Sequence, residues 1–438
     1  MRETVIQFGE GVFLRGFADY FIDSMNKAGL YDGKIVVVQP RAGGKSQLLN
    51  EQGCKYNLYM RGIENGKLKT EHCFIESISR AIDPYKSFEK YMALADNPEF
   101  RFVISNTTEA GIAFDDSCEI SDRPCKSFPG KLTQLLLRRF ENGMDGFIFL
   151  PCELIDNNGD ELKSCILKYA HKWKLSSSFI NWINEKNSFL NTLVDRIVTG
   201  FPTDEAASLN PEDKLLDTCE YFHLWVIEGD CESELPLQKA GFNVIWTDNV
   251  APYKKRKVRI LNGGHTLMVA GALLSGLETV RECMEDETVF HFLDKCMKEE
   301  ILPVTEDAGS CEKFASDVYD RFRNPYIKHK LCSISMNSVS KFSVRVLPTI
   351  LEYKKEFGVY PKYLTMSLAL LIEFYKTDAP DDLKEVSDFI RNETVERILS
   401  NQALWGCELF DMYDIIKDDL EKIKQHGARG AMKWILSQ

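Results

Sequence analysis

The chain has 438 residues, 44% hydrophobic and 27% charged, with a formal net charge of −12. That length exceeds one ordinary core and predicts two domains; the acidic balance argues against general nucleic-acid binding, though a local basic pocket can still take a small anion. No run of about 18 apolar residues predicts a membrane span, and the N-terminus lacks an apolar core of signal-peptide length.

Thr4–Phe8 reads as a strand followed by Gly9-Glu10-Gly11, and Leu14–Ala28 as a helix with Phe17, Tyr20, Phe21 and Met25 at apolar positions. Ile35-Val36-Val37-Val38, stopped by Pro40, has the continuous apolar form of a buried parallel strand. Phe102–Ser105 and Phe147–Leu150 repeat it, with helical stretches at Tyr85–Ala95 and Lys131–Asn142. Strands alternating with helices predict a parallel α/β sheet. From about Asp248 the period becomes helical, over Lys254–Leu277, Glu287–Ile301, Tyr360–Tyr375 and Asp381–Leu399. The expected fold is an α/β, Rossmann-type dinucleotide-binding domain over residues 1–245, followed by a mostly α-helical domain over residues 246–438.

Thirteen cysteines stand without a Cys-x-x-Cys pair, which fits reduced thiols in a cytosol better than a disulfide framework. With no His-Glu-x-x-His either, no metal site is expected.

Strand, Gly9-x-Gly11, helix is the order of a dinucleotide turn, in which glycines let the backbone approach a pyrophosphate. The third glycine of the usual motif is replaced by Leu14, and Gly16 follows two residues later. Ser105-Asn106-Thr107-Thr108-Glu109-Ala110-Gly111 places hydroxyls and a glycine at the C-terminal end of a strand, where open α/β sheets bind ligands. The second strand ends in Gln39-Pro40-Arg41. Gln39 suits ribose hydroxyls and Arg41 suits a 2′-phosphate, so NAD and NADP both stay open at this level.

Lys257, Asn262 and His265 stand at spacings of five and three. On a regular α-helix Asn262 falls about 140° from Lys257, and His265 between them at about 80°. An amine, an amide and an imidazole on one face suit proton transfer at a hydroxyl whose oxygen is held. A lysine acts as a base near neutrality only where burial and neighbouring positive charge disfavour its ammonium form; Arg256 and Arg259 are candidates for that charge. Gly263 and Gly264 each weaken a helix by about 1 kcal/mol, which close backbone approach to a cofactor, or a tight helix crossing, would explain.

Several segments together resemble the mannitol dehydrogenase family of polyol-specific long-chain dehydrogenases. They are the Lys-x4-Asn-x2-His set, Asp248-Asn249-Val250-Ala251-Pro252-Tyr253 before it, Gly9-x-Gly11-x-Phe13-x-Arg15, and Thr107-Thr108-Glu109-x-Gly111. Further segments, including Val36–Arg41, Phe128–Thr133, Leu150–Asp156 and Asn191–Val198, are similar to the family's hexuronate-reducing branch. The resemblance implies metal-independent hydride transfer, D-tagaturonate + NADH ⇌ D-altronate + NAD+, with a small sugar acid as substrate. It implies catalytic roles for Lys257 (proton carrier), Asn262 (oxyanion donor) and His265 (substrate guide). It implies NAD contacts at Phe8, Gly9, Gly11, Val12, Phe13, Arg15, Gln39, Thr107, Thr108 and Glu109. It points to Lys341 or Arg345 for the substrate carboxylate, with Glu153 in the substrate set. One departure stands out: the second oxyanion asparagine of mannitol dehydrogenases corresponds to Leu154, so a different donor, or a neighbour such as Asn158, must serve. Tagaturonate and fructuronate differ only in stereochemistry, which residue chemistry does not read, and the oligomeric state is not legible.

Overall fold

The computed structural model describes residues 1–305 and 311–438. Its contacts divide into two units, one of residues 1–61 and 68–250 and one of residues 62–67 and 251–438. The short second-unit segment is the turn of a strand hairpin, which a division at one point of the chain does not anticipate.

The first unit is built on a six-stranded sheet. Across it the strands run Ile78–Ile82, Gly33–Val38, Arg2–Phe8, Phe102–Ser105, Ile148–Pro151 and Ser188–Phe189, and every neighbouring pair is parallel. In chain order this is 3-2-1-4-5-6, the doubly wound order of a dinucleotide-binding sheet. Successive side chains alternate between two cores. Val5, Ile35, Val37, Ile104 and Leu150 join Phe17, Phe21 and Trp225 on one face. Ile6, Phe8, Val36, Val38, Val103 and Phe149 join Leu132, Leu136, Ile166 and Phe179 on the other. Both faces are therefore buried, which is why these strands read as unbroken apolar runs.

The expected helix Leu14–Ala28 is two helices, Val12–Arg15 and Ala18–Lys27, broken at Gly16 and Phe17. The Gly16 carbonyl accepts from Arg196 Nη1 at 2.7 Å, and a Cβ there would lie 3.0 Å from Val198. Tertiary packing thus takes the residues that would have carried the helix through. Two small sheets complete the unit. One orders Val198–Gly200, Asp217–Cys219, Tyr56–Glu64 and Lys67–Ile75; the other orders Val244–Thr247, Leu224–Glu228 and Thr192–Asp195.

The second unit is helical. Gly263–Leu274, Lys362–Tyr375 and Tyr413–Leu436 pack on one another, closely enough that a Cβ at Gly271 would stand 3.0 Å from Leu370 and 3.2 Å from Met432. The buried Glu300 carboxylate accepts the backbone N–H groups of Tyr363 and Leu364, each at 2.8 Å, at the start of the second of these helices. The expected helix Asp381–Leu399 is divided into Lys384–Asn392 and Val395–Leu399, because Thr394 caps the latter by accepting from Arg397 N–H. Among the described residues no helix is long and apolar enough to cross a membrane.

Candidate active site

In the first unit a cleft of about 530 Å³ lies at the C-terminal ends of the central strands, within the usual range of small-molecule sites. Gly9, Glu10, Gly11, Val12 and Phe13 form one wall; Asn106, Thr107, Thr108 and Gly111 form another. Gly9 has φ +129°, and a Cβ there would meet the Asn106 carbonyl at 2.9 Å, so only glycine lets the two loops come together. A Cβ at Gly11 would meet nothing within 4 Å: this backbone faces open space rather than protein. Arg41, Asp115, Lys126 and Ser127 line the rest of the cleft together with Pro40 and Phe128.

Four expected cofactor or substrate residues have other employment, and a fifth, Glu109, lies outside the cleft. The Phe8 ring is buried against Tyr91 and Phe128, leaving only its backbone for the cleft. Arg15 is 2% exposed; it donates to the Leu215 carbonyl and stands 3.8 Å from Asp217 and over the Tyr56 ring. Its guanidinium is a core cation, not a phosphate ligand. The Gln39 amide donates to the Arg41 carbonyl at 2.8 Å and accepts from Ser46 Oγ at 2.7 Å, so it shapes the turn after its strand. Glu153, 2% exposed, accepts from Ser105 Oγ, Thr107 N and Thr107 Oγ1, all at 2.9 Å; burial raises its pKa against the pull of those donors. It holds the Thr107 loop from behind. Glu109 is exposed and outside the cleft lining. Leu154 is 59% exposed. Asn158 is buried, with its amide spent on the carbonyls of Pro151, Glu153 and Thr192 and its oxygen on Thr192 N–H, so it has no donor left for an oxyanion.

Glu10 is a cleft residue that no sequence motif singles out. Its carboxylate accepts from Lys45 N at 3.3 Å and interacts with Arg41; burial raises its pKa. It places a carboxylate beside Arg41 and Lys45, the cations that follow the second strand.

In the second unit Lys257 ends the helix Ala251–Lys257, His265 lies in the helix Gly263–Leu274, and between them Val258–Asn262 forms a π-helical turn. The Gly263 N–H reaches back five residues to the Val258 carbonyl. The angles of a regular α-helix therefore do not apply across the triplet, because a π turn rotates the next helix as a one-residue insertion would. Lys257 and Asn262 are half-buried and His265 is buried. The His265 ring stacks on Phe322 at 4.2 Å and meets His329 edge-on at 4.9 Å. His329 is held by its carbonyl, which accepts from Val280 N–H at 3.0 Å, and burial lowers its pKa.

The flanking charges differ from expectation. Arg259 is ion-paired with Glu352 and donates to the Val304 carbonyl, so its charge is largely neutralised. Arg256 is buried over the rings of Phe314 and Tyr253. Gly263 serves a helix crossing: a Cβ there would stand 3.3 Å from the Arg345 carbonyl.

Lys341 and Arg345 share one face of the helix Ser338–Arg345, four residues apart. Arg345 Nη1 donates to Thr266 Oγ1 at 3.4 Å, and Thr266 Oγ1 donates to the Asn262 carbonyl at 2.9 Å. Lys341 instead donates to the Ile334 carbonyl at 3.0 Å. Burial lowers the pKa of both cations, and the charge of Arg345 lowers that of Lys341 further.

Residues 3–239 match the mannitol dehydrogenase Rossmann domain, and residues 249–425 the mannitol dehydrogenase C-terminal domain. The chain belongs to the mannitol dehydrogenase family. It is an oxidoreductase of that family, with the Rossmann-type sheet and helical second unit described above. Altronate oxidoreductase of Bacillus subtilis (strain 168) is 44% identical over 93% of this chain and 89% of its own. Altronate oxidoreductase of Yersinia enterocolitica is 42% identical over 98% and 96%. Among solved structures, a substrate-free D-sorbitol dehydrogenase aligns with TM-score 0.86 at 21% identity, over 99% of this chain and 95% of that one. The Pseudomonas fluorescens mannitol 2-dehydrogenase in ternary complex with NAD and D-mannitol aligns with TM-score 0.74 at 23% identity, over 100% and 95%. At such identities the likeness is one of family fold.

Proposed function

We propose that this chain interconverts D-tagaturonate and D-altronate with NAD as hydride carrier. The observation that carries the reading is the identity of 42–44% with altronate oxidoreductases over nearly the whole chain. The cation pair on Ser338–Arg345 supports it, since a uronate brings a carboxylate that a neutral polyol lacks.

The first-unit cleft fits a dinucleotide: a glycine turn open at Gly11, a volume of about 530 Å³, and a hydroxyl donor from Thr108, on the loop that Glu153 holds through Thr107. The Glu10 carboxylate beside Arg41 disfavours a 2′-phosphate there, which supports NAD over NADP. NAD+ held between the Gly9–Phe13 turn and the Thr107–Thr108 loop would supply the hydride acceptor for the carbinol carbon of altronate. Lys257 takes the hydroxyl proton in that direction and returns it to the forming alkoxide in the other. Asn262 donates its amide N–H to the same oxygen. His265, fixed by Phe322 and His329, binds a neighbouring sugar hydroxyl, and Arg345 binds the carboxylate. Metal independence is part of this proposal, because the residues given roles are an amine, an amide, an imidazole and a guanidinium.

The test is NADH consumption with tagaturonate, fructuronate and fructose in parallel, repeated with NADPH. Preferred turnover of tagaturonate with NADH is expected. Preference for fructuronate would shift the substrate assignment, and no oxidation of either nucleotide with any of the three would reject the enzymatic reading.

A further inference from the structure

The loop between the strand Phe102–Ser105 and the helix Phe128–Glu141 brings together three metal-ligating side chains. The donor atoms of Cys118, Asp122 and Cys125 all lie within 4.8 Å of one another. Neither thiol is at the surface: Cys118 is 1% exposed and Cys125 is fully buried. Tetrahedral zinc at about 2.3 Å from sulfur sets its donors roughly 3.8 Å apart, so side-chain rotations of modest size would close this group on an ion.

Each donor already has a hydrogen bond within the loop: Cys118 Sγ donates to Ser127 Oγ at 3.8 Å, Cys125 Sγ to the Glu119 carbonyl at 3.3 Å, and Asp122 accepts from Glu119 N–H at 2.8 Å; the two thiol bonds are given up when the thiols lose their protons, and other bonds fix the loop. Gln134 donates to the Ile120 and Asp122 carbonyls and accepts from Cys125 N–H. Trp173 donates to the Cys118 carbonyl, and Tyr169 bonds both Asp115 and Ser127. Ser127 N–H points at Cys118 Sγ at 3.5 Å, and such N–H···S contacts support metal thiolates.

A second observation concerns charge. Lys131 is fully buried, and its ammonium donates to the carbonyls of Lys126 and Ser127. Among the described residues it is paired with no carboxylate; its electrostatic partners are the Cys125 and Cys118 thiols. A buried cation without an anion is costly. Two thiolates and a carboxylate around a divalent ion carry one net negative charge, and the Lys131 ammonium brings the group to neutrality.

We propose that Cys118, Asp122 and Cys125 form a site for a thiophilic divalent cation of the zinc type, with water as fourth ligand and Lys131 as counter-charge. On binding, each thiol releases its proton to solvent and no electron moves. Asp115, Lys126 and Ser127 of the same loop line the cleft, and Ser127 caps the helix Phe128–Glu141 by accepting from Gly130 N–H. The ion therefore clasps one wall of the cleft. The Cys-x6-Cys spacing gives no sign of this, because the Asp lies between the thiols and the pairing depends on the loop's fold.

The experiment uses full-length protein stripped with chelator under reducing conditions, in a Cys332→Ser background that removes the exposed thiol. Titration with Co2+ should give one equivalent, with thiolate charge-transfer absorption, and should raise the melting temperature. Cys118→Ser and Cys125→Ser should each weaken binding at least tenfold, and Asp122→Asn should weaken it while keeping the charge-transfer band. Circular dichroism checks that each variant folds, with Cys118→Ala as a second, apolar replacement. Equal Co2+ binding by the parent and the Cys118→Ser/Cys125→Ser protein overturns the proposal. So does a parent that takes up no Co2+ while a thiol assay shows Cys118 and Cys125 reduced.

Discussion

Arg345 donates to the hydroxyl of Thr266 at 3.4 Å. Through the bond from that hydroxyl to the Asn262 carbonyl, a cation is tied to the turn that carries the proposed catalytic triplet, whereas Lys341 is turned to the carbonyl of Ile334. Arg345→Met should therefore raise KM for tagaturonate by about 10- to 100-fold, the loss of one charge-assisted bond, and leave KM for a neutral ketose nearly unchanged. Lys341→Met should have the smaller effect. Steady-state kinetics on both substrates decide it, and equal losses on the two would remove Arg345 from carboxylate binding.

Lys257→Ala should lower turnover by about 10²- to 10⁴-fold, the usual contribution of a positioned acid–base group. NADH binding, measured by fluorescence titration, should be unchanged. Near-normal turnover would end the proton-carrier assignment.

Glu10→Gln removes the negative charge that faces Arg41 in the cleft. The ratio of kcat/KM for NADPH to that for NADH should rise on the order of tenfold, since one like charge near a phosphate no longer opposes it. A ratio unmoved by the change would show that cofactor choice is made elsewhere.

Arg15 is the cation of a buried cluster in which Asp19 and Asp217 are both pushed up to about 7, chiefly by burial. Each carboxyl holds its proton more tightly folded than unfolded, where the value is 3.8. Their contribution to stability is therefore present at acid pH, is lost as pH rises from about 4 to about 7, and is constant above. Arg15→Met takes away the charge that lowers both groups, so the decline should extend above pH 7 and unfolding should cost about 3–5 kcal/mol less. Urea midpoints from pH 5 to pH 8 would show the slope; a flat parent profile contradicts it.

The parallel strands are legible in the sequence because both of their faces are buried, and burial on two sides writes an apolar run into the chain. Lys67–Ile75 is not, because it alternates exposed and half-buried residues along its length, and alternation with so little apolar content looks like loop. The helix Tyr413–Leu436 is obscured by Gly427, which interrupts it with φ +69°. In the site, Gly9 is readable since its backbone conformation and the approach of Asn106 admit no other residue. The polar residues are not. Gln39, Glu153 and Arg15 stand in or next to the sequence motifs around the cleft, but whether each side chain faces the cleft or the interior depends on distant partners, such as Leu215 for Arg15.

The π turn at Val258–Asn262 also sets a conflict between folding and chemistry. Removing one residue from it would let Ala251–Leu274 close as an uninterrupted α-helix, with the regular bonding that a bulge forgoes. The same deletion would turn Lys257 by about 100° relative to His265. With Lys257 and His265 in their proposed roles, the shortened chain would be expected to melt higher and to turn over little, a better helix making a poorer catalyst.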